Sequence, residues 1–350
     1  MQTFFIVAIL ALGFLITFQI AKASEYVSVI RGSERSRKQT NRINAFLLLV
    51  FLIVGLIGVY YCNERLRGKI LGSPASDHGV LIDRMLYITI AITFVVFVIT
   101  QVALFWFSFK YQESDKRKAF YYPHNNKLEI IWTVIPAIAL SVLVGFGIVY
   151  WFRITGEAPK DAMVVEVTGS QFKWEFRYPG KDKILGKKYF KNIDPAASNP
   201  LGQLWDDPAN RDDVYSSGEP LHLVVNKPVH LVINAKDVIH DVGLAHFRMK
   251  MDAVPGTPTT MWFTPTKTTR QMREETGNPE FVYEISCDQM CGEGHWSMRG
   301  EIVVETQKEY DQWMAGKKPQ YALAFPAPET APAKTDTATA SKPVAMNSSH

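Results

Sequence analysis

Cysteine is scarce in this chain, with three among 350 residues, too few for a disulfide framework. Charge is scarce where the apolar residues are dense. Although 21% of the chain is charged, no Asp, Glu, Lys or Arg occurs in 1–21, 43–63, 85–109 or 130–152. A hydrocarbon core of ~30 Å needs about 20 helical residues, so each run is long enough to cross a bilayer. A soluble, cytoplasmic enzyme is excluded. The polar remainder also lacks a basic surplus. Through Arg153 there are 16 Lys/Arg against 8 Asp/Glu, and from Ile154 onward 22 against 26. The net charge of +4 therefore belongs to the membrane half. The mildly acidic remainder argues against nucleic acid and is compatible with a basic protein partner. No internal repeat is evident.

The positive charges also set an expected topology. Six Lys/Arg lie in 22–42, five in 110–129 and four in 63–84. By the positive-inside rule the first two stretches are cytoplasmic. Four crossings then place the N-terminus and everything after Arg153 outside. Cleavage of residues 1–23 as a signal peptide is the rival reading, since Ala21-Lys22-Ala23 resembles a processing site. That reading leaves 22–42 outside and sends the C-terminal part inside, both against the charge, and Met1-Gln2-Thr3 offers no basic n-region. The expectation is two N-terminal transmembrane helices over 1–63, joined by a basic cytoplasmic loop, and a transmembrane hairpin over 80–153.

Residues 154–320 read as an extracytoplasmic all-β sandwich. Runs rich in Val, Ile and aromatics at 162–168, 172–178, 221–225, 229–234 and 281–286 are bounded by Pro, Gly, Asn and Asp clusters, the pattern of short antiparallel strands. A segment of about 181–219 reads as a long loop or insertion, and 307–315 as a short closing helix. From residue 324 to 350 the Ala/Pro/Thr composition predicts a disordered tail.

The chemistry concentrates in one segment. Cys287, Cys291, His295 and Met298 fall within twelve residues. Thiolate, imidazole and thioether together favour copper over hard cations. A mononuclear copper loop needs a single Cys, so the second thiolate points to a pair of copper ions bridged by sulfur, each capped by one His. The second His has to come from an earlier loop. His240, just after a strand, is the natural donor and His246 its competitor. Zinc is the plainer reading of a Cys-x3-Cys pair with a nearby His, but it has little use for Met298. A Rieske iron–sulfur centre needs a Cys and His pair in each of two loops, which the sequence lacks. The remaining histidines, His78, His124, His222, His230 and His350, have no ligand context. Cys62 lies at the outer end of the second apolar run without a convincing lipobox and reads as structural.

These residues carry a resemblance, over roughly 80–315, to subunit II of the haem–copper cytochrome c oxidases. The family's Cys-x3-Cys-x3-His-x2-Met motif is met by Cys287, Cys291, His295 and Met298. The segment from Asp237 to His240, followed by Phe247 through Gly256, is similar to the family segment that holds the first histidine. There the ligand stands ten residues before a Lys, as His240 does before Lys250, whereas His246 is out of register. Glu129, Trp132, Thr133 and Pro136 match the opening of the family's second hairpin helix. The resemblance implies a cupredoxin-like domain with two copper ions (copper A), ligated by His240, Cys287, Cys291, His295 and Met298 and by the backbone carbonyl of Gln289. It further implies electrons accepted from a c-type cytochrome and passed to a haem in oxidase subunit I, where dioxygen is reduced to water and protons are pumped. Haem belongs to the partner subunit: no Cys-x-x-Cys-His follows Met298. The implied location is a bacterial-type inner membrane, multi-pass, with the N-terminus and copper domain on the extracytoplasmic side.

The departures are specific. Where many relatives have Gln-Trp-x-Trp, this chain has Gln171-Phe172-Lys173-Trp174, so the family's electron-entry Trp is replaced by Phe172. Trp174, two residues on, is expected on the same strand face and is the candidate bridge, with core filler as its plainer role. Gln289 stands where relatives often place a magnesium-binding Glu, and a neutral amide is a weaker ligand for a hard cation, so that site is not carried over. Glu129 reads either as a helix-start carboxylate favoured by the dipole or, by resemblance, as the entrance of a proton path. Asp237 is the best candidate for an acidic donor-docking residue. Two other functions use the same copper motif: a membrane-tethered electron carrier for another reductase, and a copper sensor or store. For the first, nitrous oxide reductase shares the motif but needs a large second domain for which 350 residues leave no room, and the second has no need for the hairpin pattern from Glu129 to Pro136.

Overall fold

The computed structural model describes residues 2–67, 72–114 and 116–326, leaving aside the side chains of 2–10, 24, 28, 31 and 33. Four helices come first: α1 (Gln2–Arg31), α2 (Ser33–Leu66), α3 (Asp77–Lys110) and α4 (Asn126–Ile154). Three helical segments, Glu34–Leu66, Asp77–Lys110 and Asn126–Ile154, are long and apolar enough among the described residues to cross a membrane. This is one fewer than the four expected. The first apolar run lies within α1, half of it on residues whose side chains are outside those described. The predicted tail likewise falls almost wholly outside, since description stops at residue 326.

The helix boundaries follow local chemistry. Ser76 caps α3 by accepting from the Gly79 N–H at 2.8 Å, and Asn125 caps α4 by accepting from Leu128 N–H at 3.0 Å. Pro136 lies inside α4, ten residues past its start. The spanning windows of α3 and α4 bury none of their residues within the chain. Their apolar surfaces are therefore written for lipid and for other protein.

Ten strands build the polar half: β1 (Met163–Ser170), β2 (Lys173–Tyr178), β3 (Val214–Ser217), β4 (Leu221–Val224), β5 (Val229–Ala235), β6 (His240–Leu244), β7 (Met249–Ala253), β8 (Thr259–Phe263), β9 (Tyr283–Cys287) and β10 (Arg299–Glu305). They form two five-stranded sheets, ordered β3-β2-β1-β5-β8 and β4-β10-β9-β6-β7. The core between them is made by Val165, Val167, Phe176, Leu223, Leu231, Ile233, Val242, Ile285, Ile302 and their buried neighbours. Pairing is mixed, because β1 runs parallel to β5 and β10 parallel to β4. A helix, α5 (Thr269–Thr276), precedes β9. Two more, α6 (Gln307–Ala315) and α7 (Gln320–Ala324), close the chain against the sandwich.

The sandwich is fastened to the outer ends of the hairpin. Ala75 N–H donates to His246 O at 2.9 Å, and Asp77 accepts from Thr264 N–H at 2.9 Å. Arg248 pairs with Asp83 at 2.8 Å, and the Trp262 indole donates to Gly156 O at 2.8 Å. The segment 181–219 carries β3 and two short 3-10 turns around a buried polar cluster. There Arg177 donates to Glu166 at 2.6 Å, Asp213 at 2.7 Å and Asn210 at 3.0 Å, and Lys188 pairs with Glu166. Burial pushes the Glu166 carboxyl up, but Arg177 and Lys188 outweigh it and hold Glu166 below the usual range. For Asp213 burial wins over Arg177, and the carboxyl is pushed up to about 6.

That shift has a definite sign. The native Asp213 holds its proton more tightly than the unfolded chain, whose value is near 3.8. Its contribution to stability therefore falls as pH rises between about 4 and about 6, by about 3 kcal/mol in all. In Asp213→Asn the charge that forms is gone. Thermal melts of the full chain in detergent should show the variant gaining on the unchanged protein from pH 4 to pH 7. A difference that stays flat with pH overturns this.

Candidate metal centre

One end of the sandwich gathers three turns: Gln171–Phe172 between β1 and β2, 236–239 between β5 and β6, and the loop 288–298 between β9 and β10. The last is closed at its base by Cys287 N–H donating to Met298 O at 3.0 Å. Its far half winds into a 3-10 turn at His295–Ser297, with His295 N–H donating to Gly292 O at 3.1 Å and Met298 N–H to His295 O at 3.2 Å. Gly292 sits at φ 134°, a conformation that side-chain-bearing residues avoid. This winding turns His295 and Met298 back toward Cys291.

The resulting geometry is paired. Cys287 Sγ and Cys291 Sγ stand 3.7 Å apart, too far for a disulfide bond. Cys287 Sγ faces His240 Nδ1 at 3.8 Å and the Gln289 carbonyl at 3.2 Å. Cys291 Sγ faces His295 Nδ1 at 3.7 Å and Met298 Sδ at 3.8 Å. Each thiol thus has one imidazole and one weak donor of its own. Potential ligand atoms of His240, Cys287 and Cys291 all lie within 4.8 Å of one another. Ligands about 2.0–2.3 Å from a shared four-coordinate metal stand about 3.3–3.8 Å apart, so the donor set fits soft or borderline metal ions as it stands. His240, Cys287, Cys291 and Met298 are buried, whereas His295 is half-buried and the Gln289 side chain is exposed.

The surroundings favour a cation. Burial pushes the Cys291 thiol up to about 11, and the Cys287 thiol and its charge add to the rise. A pair of thiolates at this spacing is thus stabilised by a metal and not by the protein alone. His240 turns Nε2 to Asp237 Oδ1 at 2.8 Å, leaving Nδ1 for the cluster. Asp237 is partly buried, which pushes its carboxyl up. Hydrogen bonds from Gln171 N–H, His240 and Val238 N–H outweigh that and hold it below the usual range. A carboxylate behind a ligating imidazole fixes its tautomer and orientation. On the other side of His240, burial and the neighbouring Asp252 push Asp241 up to about 7.

The other sequence candidates fall in different places. His246 stacks edge-on with Phe281 and Tyr283, ring centroids 5.1 and 5.5 Å away, away from the thiols. Trp174 is buried, with its ring centroid 6.1 Å from that of His240. Phe172 lies in the turn before β2 and is 38% exposed, so period-two alternation does not apply to the pair. Its ring covers Gly292, where an added Cβ would stand 3.0 Å from it. Glu129 is in the first turn of α4, where its carboxylate accepts from Asn125 N–H at 3.3 Å. Two contributors were not legible as part of the site. The sequence marks Asp237 as a docking candidate, whereas the structure makes it the partner of His240, and Gln171, which the sequence marks only by its place beside Phe172, bonds the Cys291 carbonyl.

A two-sheet sandwich with a Cys/Cys/His cluster at one end, mounted on apolar helices, defines a membrane-attached, cupredoxin-like metal domain. The chain belongs to the cytochrome c oxidase subunit II family. Residues 72–148 match the model of that family's transmembrane domain, and 163–307 the model of its periplasmic domain. It is 34% identical over 271 residues to the alternative cytochrome c oxidase subunit 2 of Bradyrhizobium diazoefficiens, spanning 77% of this chain and 92% of that one. It is 26% identical over 248 residues to cytochrome c oxidase subunit 2 of Cereibacter sphaeroides, spanning 69% and 77%. Among solved structures, the periplasmic domain of subunit II of cytochrome oxidase from Bradyrhizobium japonicum aligns over 47% of this chain and 100% of its own, at 22% identity and a TM-score of 0.33.

The two histidines make a clean test. His240→Ala should weaken copper binding by the full chain at least tenfold in a competition titration. His246→Ala should leave binding unchanged and cost about 1 kcal/mol of stability through its lost ring contacts. Equal effects on binding would refute the assignment.

Proposed function

We propose that this chain is the electron-entry subunit of a respiratory cytochrome c oxidase, and that its loop 288–298 and His240 hold a dinuclear copper centre. The observation that carries this reading is the pairing of donors: two thiols in contact, each with its own imidazole and its own weak ligand. Cys287 and Cys291 would hold the copper ions through their thiolates. His240 and His295 would cap them, and the Gln289 carbonyl and Met298 would complete the set. When bound, such a pair supplies reversible one-electron storage, with the charge change spread over two metals and two sulfurs.

The chain's own residues make that storage a relay. Burial of His240, Cys287, Cys291 and Met298 excludes water, so little solvent rearranges as charge comes and goes. The strands at both ends of the loop hold the ligands in one geometry for both redox states. Electrons come from a c-type cytochrome and leave for the haem of oxidase subunit I, where dioxygen is reduced to water and protons are pumped. Phe172 is the ring exposed over the loop and Trp174 the ring buried against His240, so entry at Phe172 with Trp174 behind it suits the geometry. Val238, Ile239, Met290 and Trp296 are also exposed at this end, Trp296 by 85%. The Asp237 carboxylate is already engaged by three donors. Docking is accordingly apolar at its centre, with the ionised Asp237 carboxylate beside it.

In the membrane, the charge pattern supports four crossings, with α1 as the first and the copper domain on the extracytoplasmic face of the plasma membrane. Glu129, at the cytoplasmic start of α4, is placed to admit protons toward the catalytic subunit. The extra helices α1 and α2 contribute none of the donor residues named for the relay.

Purification through this chain tests the reading. A haem-bearing polytopic subunit should accompany it, with two copper ions per chain and a thiolate-to-copper colour. One copper per chain, or zinc alone, counts against it. Stopped-flow reduction separates the rings. Phe172→Ala should slow reduction by the donor while reduction by a small reductant keeps its rate. Trp174→Phe keeps most of the apolar volume and should cost under about 1.5 kcal/mol. An unaltered donor rate in that variant would remove Trp174 from the path.

A further inference from the structure

Three loops supply the metal cluster and its surroundings, and one residue ties them together through its side chain and its backbone. The Gln171 side-chain amide donates from Nε2 to the Cys291 carbonyl at 2.5 Å. Its backbone N–H donates to Asp237 Oδ2 at 2.8 Å, while Asp237 Oδ1 meets His240 Nε2 at 2.8 Å. A continuous chain of hydrogen bonds therefore runs from the backbone of one thiol residue, through Gln171 and Asp237, to the imidazole that faces the other thiol. We infer that Gln171 is a positioning residue: it straps the loop 288–298 to the turn 236–239 and so fixes where Cys291 stands relative to His240.

Three features support this. The contact spans 120 residues of sequence, so it is tertiary and not a local turn bond. The Gly292 that follows Cys291 leaves room for the amide: an added Cβ there would stand 2.9 Å from Gln171 Nε2, pushing it off the carbonyl. The direction of donation is also fixed. A carbonyl oxygen accepts only, so the amide must present its NH2 to Cys291. The same donation draws electron density from the peptide adjoining the Cys291 thiolate, which bears on the metal as well as on the loop. Groups of this kind behind metal ligands are worth 10–100-fold in metal affinity. Gln171 touches no ligand atom, and its effect passes through Cys291 and Asp237.

The inference rests on the copper reading for its metal readout, but not for its first test. In the copper-free full chain, Gln171→Met keeps the length of the side chain and the backbone N–H to Asp237 while removing the donor to Cys291. Backbone amides of 288–298 should exchange with solvent about tenfold faster, with strands β1 and β9 unchanged. In the copper-loaded chain, copper affinity should fall 10–100-fold and the thiolate-to-copper absorption should shift. Gln171→Asn, one methylene shorter and still polar, should show the same changes and serves where the Met variant does not fold. Unaltered loop exchange in both variants overturns the strap, whatever the metal does. Faster exchange in a chain whose unsubstituted form binds no copper pair keeps the strap and removes the copper reading instead.

Discussion

The metal cluster depends on the register between β6 and β9. These strands pair antiparallel with Val242 opposite Cys287 and Gly243 opposite Ser286. Side chains alternate across a strand, so this setting turns His240, two residues before Val242, toward the thiol of Cys287. A slip of one residue would send His240 to the opposite face of the sheet. Cys287 is also the last residue of β9, which makes it the hinge between the fixed sheet and the loop. The rest of the site is then built back onto that anchor: the loop closes on Cys287 N–H, winds at Gly292 and returns Met298 to the start of β10.

Much of the site was legible because its candidate ligands are local. Four of them fall in one short loop, and residue chemistry alone narrows the metal. His240 was harder, since nothing in the spacing between two separate loops requires contact. Two paired thiols require a second imidazole, and the strand that ends before Lys236 offers a place for it. The supporting residues were less visible. Gln171 acts through one side-chain bond to Cys291, and Asp237 through its bonds to Gln171 N–H and His240, and such contacts across turns leave no periodicity to read. Trp174 and Phe172 show the limit of alternation, because the rule holds within a strand and Phe172 stands in the turn just before one.

The fold was legible in part, for similar reasons. The strands at 163–170, 221–224, 229–235 and 283–287 announce themselves by β-branched and aromatic runs. Strands β6 and β7, with the sequences His-Asp-Val-Gly-Leu and Met-Lys-Met-Asp-Ala, do not. β6 is buried along its whole length, so its Asp and Gly mark metal-site packing and not a loop. The insertion at 181–219 reads as irregular because its order comes from Arg177, Glu166, Asn210 and Asp213 instead of an apolar face. A buried ion network of that kind is invisible until the chain has folded around it. It ties β1 and β2, through Glu166 and Arg177, to Asn210 and Asp213 of the insertion.

The two halves of the chain are coupled chiefly by polar bonds, with Ala75 and Ile154 packed against the sandwich core beside them. Asp77 and Ser76 at the start of α3, Asp83 one turn and a half further on, and Gly156 at the end of α4 each bind the sandwich. These contacts sit at the outer ends of helices whose remaining surface is apolar and unburied within the chain. The His78 ring against Trp262, centroids 4.4 Å apart, adds an aromatic contact at the same level. The sandwich is therefore held at a set height above the hairpin by the chain itself, before any other subunit binds. Electron transfer between fixed centres needs a fixed separation, and two flexibly tethered domains would not provide it. The short capped connection from α3 to the β6–β7 turn does, because the strand that carries His240 is continuous with the turn that Ser76 and Asp83 grip.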